Sequence, residues 1–164
     1  MKFRFNPTYT AFQSPLGPLT LAAHQNHLVG VWFDGQKHHP DTAAWQPSDV
    51  HPVLIASAEQ LRQYFAGQRS RFDLPLDLSS GTEFQQQVWR ELLRIAPGCT
   101  PSYGMMSQQI GQPSAVRAVA GAIGRNPISI VVPCHRVIGA KGALTGYAGG
   151  LDRKAALLQL ESTF

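Results

Sequence analysis

The hydrophobic pattern of this chain changes period near Gly81, and that change limits what it can fold into. Upstream, residues 8–33 (TYTAFQSPLGPLTLAAHQNHLVGVWF) form short alternating or apolar runs split by SPLGP and HQN, which predicts an antiparallel meander. Downstream, apolar residues recur at three- and four-residue spacing, the period of a helix lying on a core. At 164 residues the chain can bury a sizeable core in one domain or two small ones. The switch predicts two: a small N-terminal antiparallel-sheet-plus-helix domain over residues 1–80, and a mainly helical C-terminal domain over residues 81–164. The expected class is α/β, of the α+β kind.

Residues 34–51 are polar and histidine-rich and are expected to form a loop. In PVLIASAEQLRQYFAG, Leu54, Ala58, Leu61 and Phe65 share a helical face and Gly67 ends the pattern. FDLPLDLSSG then reads as an extended linker. The second half opens on GTEFQQQVWRELLRIAPG, where Thr82 and Gln85 suit a capping box and Phe84, Val88, Leu92 and Ile95 form one apolar stripe. MMSQQIGQPSAVRAVAGAIG follows as a short helix, a turn around Gly111 to Pro113, and a second helix with Ser114 as its expected N-cap. Two short helices about a glycine-containing turn fit a helix-turn-helix, which binds DNA or serves only packing. A last helix is expected from about Leu151 to Glu161.

No apolar run approaches membrane-spanning length, and MKFRFNPTYTAF lacks the apolar stretch of a signal peptide, so a cytoplasmic protein is expected. Charge is shared unevenly: residues 1–80 hold six Lys/Arg against six Asp/Glu, residues 81–164 eight against four. A basic half beside a neutral one suggests a polyanion partner such as nucleic acid, although so mild an excess also suits a solvated surface. Two cysteines, Cys99 and Cys134, are too few for a disulfide framework.

Cys134 stands in ISIVVPCHRVIG, where Pro133 cuts off an apolar run expected to be a buried strand. A cysteine nucleophile acts as its thiolate and needs a base or a positive field nearby. His135 is next in sequence, but neighbours on an extended chain point to opposite faces, so contact requires a turn or a bridging water. The pair also reads as a buried structural cysteine beside a satisfied histidine. Glu161 opposes the macrodipole at its helix C-terminus, and it follows Leu157 and Leu158 on their side of the helix. If that side faces inward, the carboxylate needs a partner such as a histidine nitrogen; otherwise Glu161 belongs to a frayed, solvated end.

These residues carry a resemblance. GTEFQQQVW, SYG, AVRAVAGAIGRNPISIVVPCHRVIG, LTGYAGG and LLQLE occur in the order and at the spacing of the O6-alkylguanine-DNA alkyltransferase (methylated-DNA-protein-cysteine methyltransferase) family, over residues 81–161. PCHRV, preceded by NP and followed by GYAGG, is the most specific part; the first half is similar to the family's small N-terminal domain in layout alone. The resemblance implies a suicide repair protein. Cys134 takes the alkyl group from O6-alkylguanine in double-stranded DNA, with O4-alkylthymine left open as a second substrate, and a thioether does not hydrolyse readily. It implies no cofactor and no metal, no membrane, and a monomer, with cooperative binding to DNA left open.

Carried over residue by residue, Cys134 is the nucleophile, His135 takes its proton through a water, and Glu161 holds and polarises the imidazole. Asn126 braces the turn around the site, and Tyr103 donates to guanine N3 and pushes on the flanking phosphate. The base must leave the duplex, at a cost of roughly a few kcal/mol. Arg117, on the second helix of the helix-turn-helix, inserts as an arginine finger; Ser114, Ala118 and Arg125 complete the DNA contacts. Ala115, Ala118, Ala120, Gly121 and Ala122 keep that helix slim enough for the minor groove. For the alkylguanine pocket, carbonyls of Cys134 and Val137 receive the guanine amine, and amides near Tyr147 and Ala148 reach O6. Arg136 is expected to be structural, and Cys99 to carry no chemistry.

Departures from the family pattern are mild: Ser107 stands where alanine is usual, and Ala120 where glycine is common. The first half has no cysteine, so the zinc site of some members lacks its cysteine ligands here. His24, His27, His38, His39 and His51 could hold a metal, but scattered loop histidines more often do not. Two other readings use the same residues. A non-enzymatic lesion-binding relative would lack the acceptor Cys134, and a cysteine hydrolase built on Cys134 and His135 would need neither the helix-turn-helix nor the basic half.

Overall fold

The computed structural model describes residues 3–164. The meander forms as β1 (Thr8–Ser14), β2 (Gly17–His24) and β3 (His27–Phe33), with antiparallel pairing from Thr8↔Ala23 to Ser14↔Gly17 and a bulge where Ala22 and Ala23 face β3. The segment expected to be loop contributes a two-residue strand, β4 (Gln46–Pro47), parallel to β1, so the sheet order is β3-β2-β1-β4. Trp45 next to β4 is buried with Ala22, Val29 and Trp32 on one face of the sheet, which explains why this polar stretch is pinned down. Helix α1 (Pro52–Phe65) buries Val53, Leu54, Ser57, Leu61 and Tyr64 in the main core with Leu19, Leu21 and Val31. Its inward face is thus rotated from the expected stripe: Tyr64 is fully buried, whereas Phe65 is only partly covered.

The outer edge of β3 is covered twice. Leu28 bonds to the linker through Pro75 O and Asp77 N (2.8 and 3.0 Å), and Val31 bonds to Pro127 O and Ser129 N (both 2.9 Å). An unpaired strand edge would otherwise expose a row of amides and carbonyls. Both segments therefore dock on one strand, and residues of the two halves share a single apolar cluster in which Leu21 and Tyr64 join Ile128, Val132 and Leu157.

The second half holds α2 (Glu83–Leu92), α3 (Tyr103–Gln109), α4 (Val116–Ile123) and α5 (Leu151–Glu161). Thr82 and Gln85 form the expected capping box, at 3.2 Å and 3.0 Å. Trp89 Nε1 donates to Ala122 O (2.8 Å), clamping α2 to α4. The helix ends at Leu92, so Ile95 is buried from the turn beyond it. Ser114 is not the N-cap of α4. That place falls to Ala115, which offers no side-chain cap, and Ser114 sits exposed one position too early to reach the first free amides.

The ISIVV run is buried as expected but is not a strand; only Ile128 bridges to β3. Asn126 Oδ1 accepts from Ile128 N–H (2.9 Å), and Ile130 adopts φ +72° while Val131 N–H bonds Ser129 O (2.9 Å). This tight turn at a β-branched residue folds the run back on itself. Among the described residues, no helix is long and apolar enough to cross a membrane.

Candidate active site

Pro133 (φ −82°, ψ 60°) delivers the chain into a single 3₁₀ turn, Cys134–Arg136. The turn breaks the strand-like alternation, so neighbouring side chains need not oppose one another. Cys134, His135 and Arg136 are all buried there. The second component arrives from α5, whose buried residues Lys154, Leu157 and Glu161 follow one another at helical spacing.

Glu161 is the hub of the site. Its Oε1 accepts from His135 Nε2, Arg136 Nη2 and Tyr64 Oη, each at 2.8 Å, and its Oε2 accepts from Arg136 Nε at 2.7 Å. Arg136 also donates through Nη1 to Ile95 O. Burial opposes the charge on Glu161, but the hydrogen bonds from His135 and Arg136 outweigh it and hold the carboxyl at about 2. An ionised carboxylate only accepts, so Nε2 of His135 carries the hydrogen and Nδ1 is the basic nitrogen. That Nδ1 is buried and has no hydrogen-bond partner among the described residues. Burial pulls the imidazole below its ordinary proton affinity, and Glu161 acts against that pull.

Burial pushes the Cys134 thiol up to about 11, while the Asn126 amide and the charge of Lys154 pull it back down. Asn126 Nδ2 lies 3.1 Å from Cys134 Sγ and 2.8 Å from Val132 O. The thiol therefore waits protonated, next to a donor that favours its thiolate.

Lys154 is fully buried. Its Nζ donates to the carbonyls of Val137 (2.6 Å), Thr145 (2.8 Å) and Gly146 (3.3 Å), which ties the exit of the 3₁₀ turn to the glycine loop. The Tyr103 hydroxyl is shared between the same loop carbonyls, Thr145 O at 2.9 Å and Gly146 O at 3.1 Å. Gly149 belongs in GYAGG for a steric reason: a Cβ there would come within 2.7 Å of the Tyr147 ring and 3.0 Å of Phe33.

A cleft of about 580 Å³ adjoins the Tyr103 hydroxyl and the Thr145–Gly146 loop, with Arg117, Arg125, Tyr147 and Ala148 also in its wall. Lys37 and His38, from the loop after β3, complete the wall, and Lys37 N–H bonds Ala148 O at 3.1 Å. The lining carries the cations Lys37, Arg117 and Arg125 and no carboxylate. Cys134 lies close enough behind it to influence the ionisation of both Tyr103 and Tyr147.

The expected site residues are thus brought together with two qualifications. Ser114 and Ala118 are exposed but lie outside the cleft wall. Val137 is fully buried, and its carbonyl, expected to meet a guanine amine, already accepts from Lys154. Among the described residues, no group of three His, Cys, Asp or Glu side chains is placed to hold a metal. Sequence reasoning missed Tyr64, Lys154 and Lys37. Lys154 was findable, because it shares a seven-residue spacing with Glu161 on a stripe that includes Leu157; Lys37 lay in an unpatterned loop.

Two family models match the chain: 6-O-methylguanine DNA methyltransferase, ribonuclease-like domain, over residues 8–78, and 6-O-methylguanine DNA methyltransferase, DNA binding domain, over residues 83–163. The chain is 50% identical over 155 residues to the methylated-DNA–protein-cysteine methyltransferase of Mycobacterium bovis, covering 94% of this chain and 92% of the relative. It is 46% identical over 156 residues to the protein of that name from Methanosarcina acetivorans, covering 94% and 98%. Among solved structures it resembles Mycobacterium tuberculosis OGT in complex with DNA, with a TM-score of 0.88, 49% identity, and coverage of 95% and 93%.

Proposed function

Because the chain belongs to the 6-O-methylguanine DNA methyltransferase family, we propose that it repairs DNA by direct reversal, moving the alkyl group of O6-alkylguanine irreversibly onto Cys134. The observation that carries this reading is the buried link between His135 and Glu161, which leaves His135 Nδ1 as a free base on the same 3₁₀ turn as Cys134, whose thiol Asn126 contacts.

The thiol proton passes through a water to Nδ1, and Glu161 stabilises the imidazolium that forms. Cys134 Sγ then bonds the alkyl carbon as the carbon–O6 bond breaks, and the bonding pair moves into the purine. Tyr103 redirects its hydroxyl to guanine N3 as that charge arrives, and the proton held on His135, returned through water, converts the purine anion to neutral guanine. The sulfur ends as a thioether, so each molecule acts once.

Charge complementarity supports duplex DNA as the partner, since the cleft walled by Tyr103 and Tyr147 is lined by cations alone among its charged groups. The damaged base leaves the stack to reach the sulfur, and Arg117 on α4 fills the gap from the minor groove. Arg125 holds the backbone, joined by exposed Ser114 just before α4 and by exposed Ala118 on α4. Tyr147 and Ala148 enclose the base together with Val137. Residues 1–80 form the N-terminal α/β domain and 81–164 the alkyltransferase and DNA-binding domain, acting as a monomer in the cytoplasm.

The test is the intact mass of the protein after incubation with an oligonucleotide containing O6-methylguanine. One methyl group, mapped to Cys134 and lost in Cys134→Ser, is expected. Repair of several lesions per molecule would sink the reading in favour of a hydrolase, and binding without mass gain would favour a lesion-binding protein.

A further inference from the structure

One of the three donors on Glu161 Oε1 comes from the other half of the chain. Tyr64 Oη, on α1, sits 2.8 Å away, as near as His135 Nε2 and Arg136 Nη2. The tyrosine is fully buried, and its ring is held between Phe65, Phe72 and Phe164 at centroid distances of 5.4, 5.3 and 5.7 Å. Its hydroxyl must be the donor, because the carboxylate only accepts. Burial, and then the charge of Glu161, keep that hydroxyl protonated far above the usual tyrosine range.

We propose that Tyr64 is a positioning residue for alkyl transfer: its hydroxyl fixes the Glu161 carboxylate and draws charge from Oε1, the oxygen that holds His135. Through this bond the N-terminal half sets how tightly the imidazole keeps a proton. The inference rests on the reading of His135 as the base for Cys134. The other groups acting on the pair are Arg136 on the 3₁₀ turn, Lys154 on α5, and Tyr147 on the glycine loop, whose ring centroid is 6.5 Å from His135. All of them remain when Tyr64 changes.

The sign follows from the shared oxygen. Without the Tyr64 donor, Oε1 becomes more basic and binds the imidazolium more tightly. His135 then loses its proton at higher pH, and since the neutral ring is the base, the acidic limb of the pH–rate profile moves up.

The experiment follows alkylation of Cys134 by free O6-benzylguanine, by mass, with the full chain across a pH series. In Tyr64→Phe the midpoint of the acidic limb should rise by about half a unit to one unit, with rates several-fold lower below the midpoint and converging above it. Replacing Tyr64 by 3,5-difluorotyrosine keeps the ring and strengthens the donor, so its midpoint should fall. A merely structural role would change stability or scale all rates together without moving the midpoint. An unmoved midpoint in Tyr64→Phe, or a rise in the fluorinated protein, overturns the proposal; if Tyr64→Phe does not fold, the fluorinated protein decides alone. Failure of the unaltered protein to alkylate at Cys134 rejects the reading of the site and this inference with it.

Discussion

The side-chain amide of Asn126 reaches Cys134 Sγ at 3.1 Å with the same nitrogen that donates to Val132 O at 2.8 Å. One group thus closes the turn that presents the cysteine and also supplies hydrogen-bond stabilisation to its thiolate. Fold and reactivity share a residue at this point.

Asn126→Ala should therefore lose on both counts. Ile128 N–H is buried and would lose its partner, which costs about 1–3 kcal/mol, while Val132 O would keep only the Cys134 N–H. The thiol, already raised by burial, would rise further without the amide that lowers it. Urea denaturation should show the stability loss, and alkylation by O6-benzylguanine should slow by about tenfold or more at neutral pH. A stable variant reacting at the normal rate would contradict the double role.

Acid should weaken the fold in two steps. The Glu161 carboxyl is held at about 2 against an ordinary value of 4.5, so its contribution is complete above pH 4.5 and is lost as pH falls toward 2. His135 is lowered from 6.5, chiefly by burial, so the folded state resists its protonation and stability drains as pH drops below 6.5. In Glu161→Gln the lower step should vanish. Denaturation midpoints measured across this range check both steps, and a lower step of the same size in Glu161→Gln would refute the assignment.

Arg117→Ala should weaken repair of duplex DNA by about ten- to a hundredfold, the scale set by the cost of unstacking and unpairing one base, while leaving reaction with free O6-benzylguanine near normal. Arg117 is exposed and makes no bond to Cys134, His135 or Glu161, so the free base does not need it. Equal losses on the two substrates would argue against insertion into the stack.

Lys37 is the N-terminal cation in the cleft wall, tied through its amide to Ala148. If its ammonium meets a phosphate, Lys37→Ala should reduce the slope of log affinity against log salt by about one, with weaker binding to damaged and undamaged DNA alike. An unchanged slope would mean that the N-terminal loop shapes the cleft without touching the backbone.

The elements that frame the candidate site were legible because local rules constrain them strongly. Thr82 and Gln85 declared the start of α2, and SPLGP and HQN divided the meander. Glu161 declared itself as a carboxylate on the side of the helix that carries Leu157. The failures have one cause. ISIVV has the composition of a buried strand, but Asn126 and the left-handed Ile130 bend it into a turn, a choice made by side-chain bonds that no periodicity encodes. Ser114 suited a cap by type, yet the helix began one residue later.

Sequence by itself determined which groups this protein has to work with: a cysteine behind a proline, a histidine beside it, a carboxylate at the end of a helix, and an excess of positive charge in the second half. It also determined the local elements, because strand and helix spacing act over a few residues. Tertiary structure decided which of those groups meet. Tyr64 reaches Glu161 across ninety-seven positions, Lys154 holds three carbonyls of two other segments, and Lys37 lines a cleft built mostly from the second half. Those meetings depend on burying one continuous core between the halves, which forces each buried polar group to find a partner wherever the packing places one.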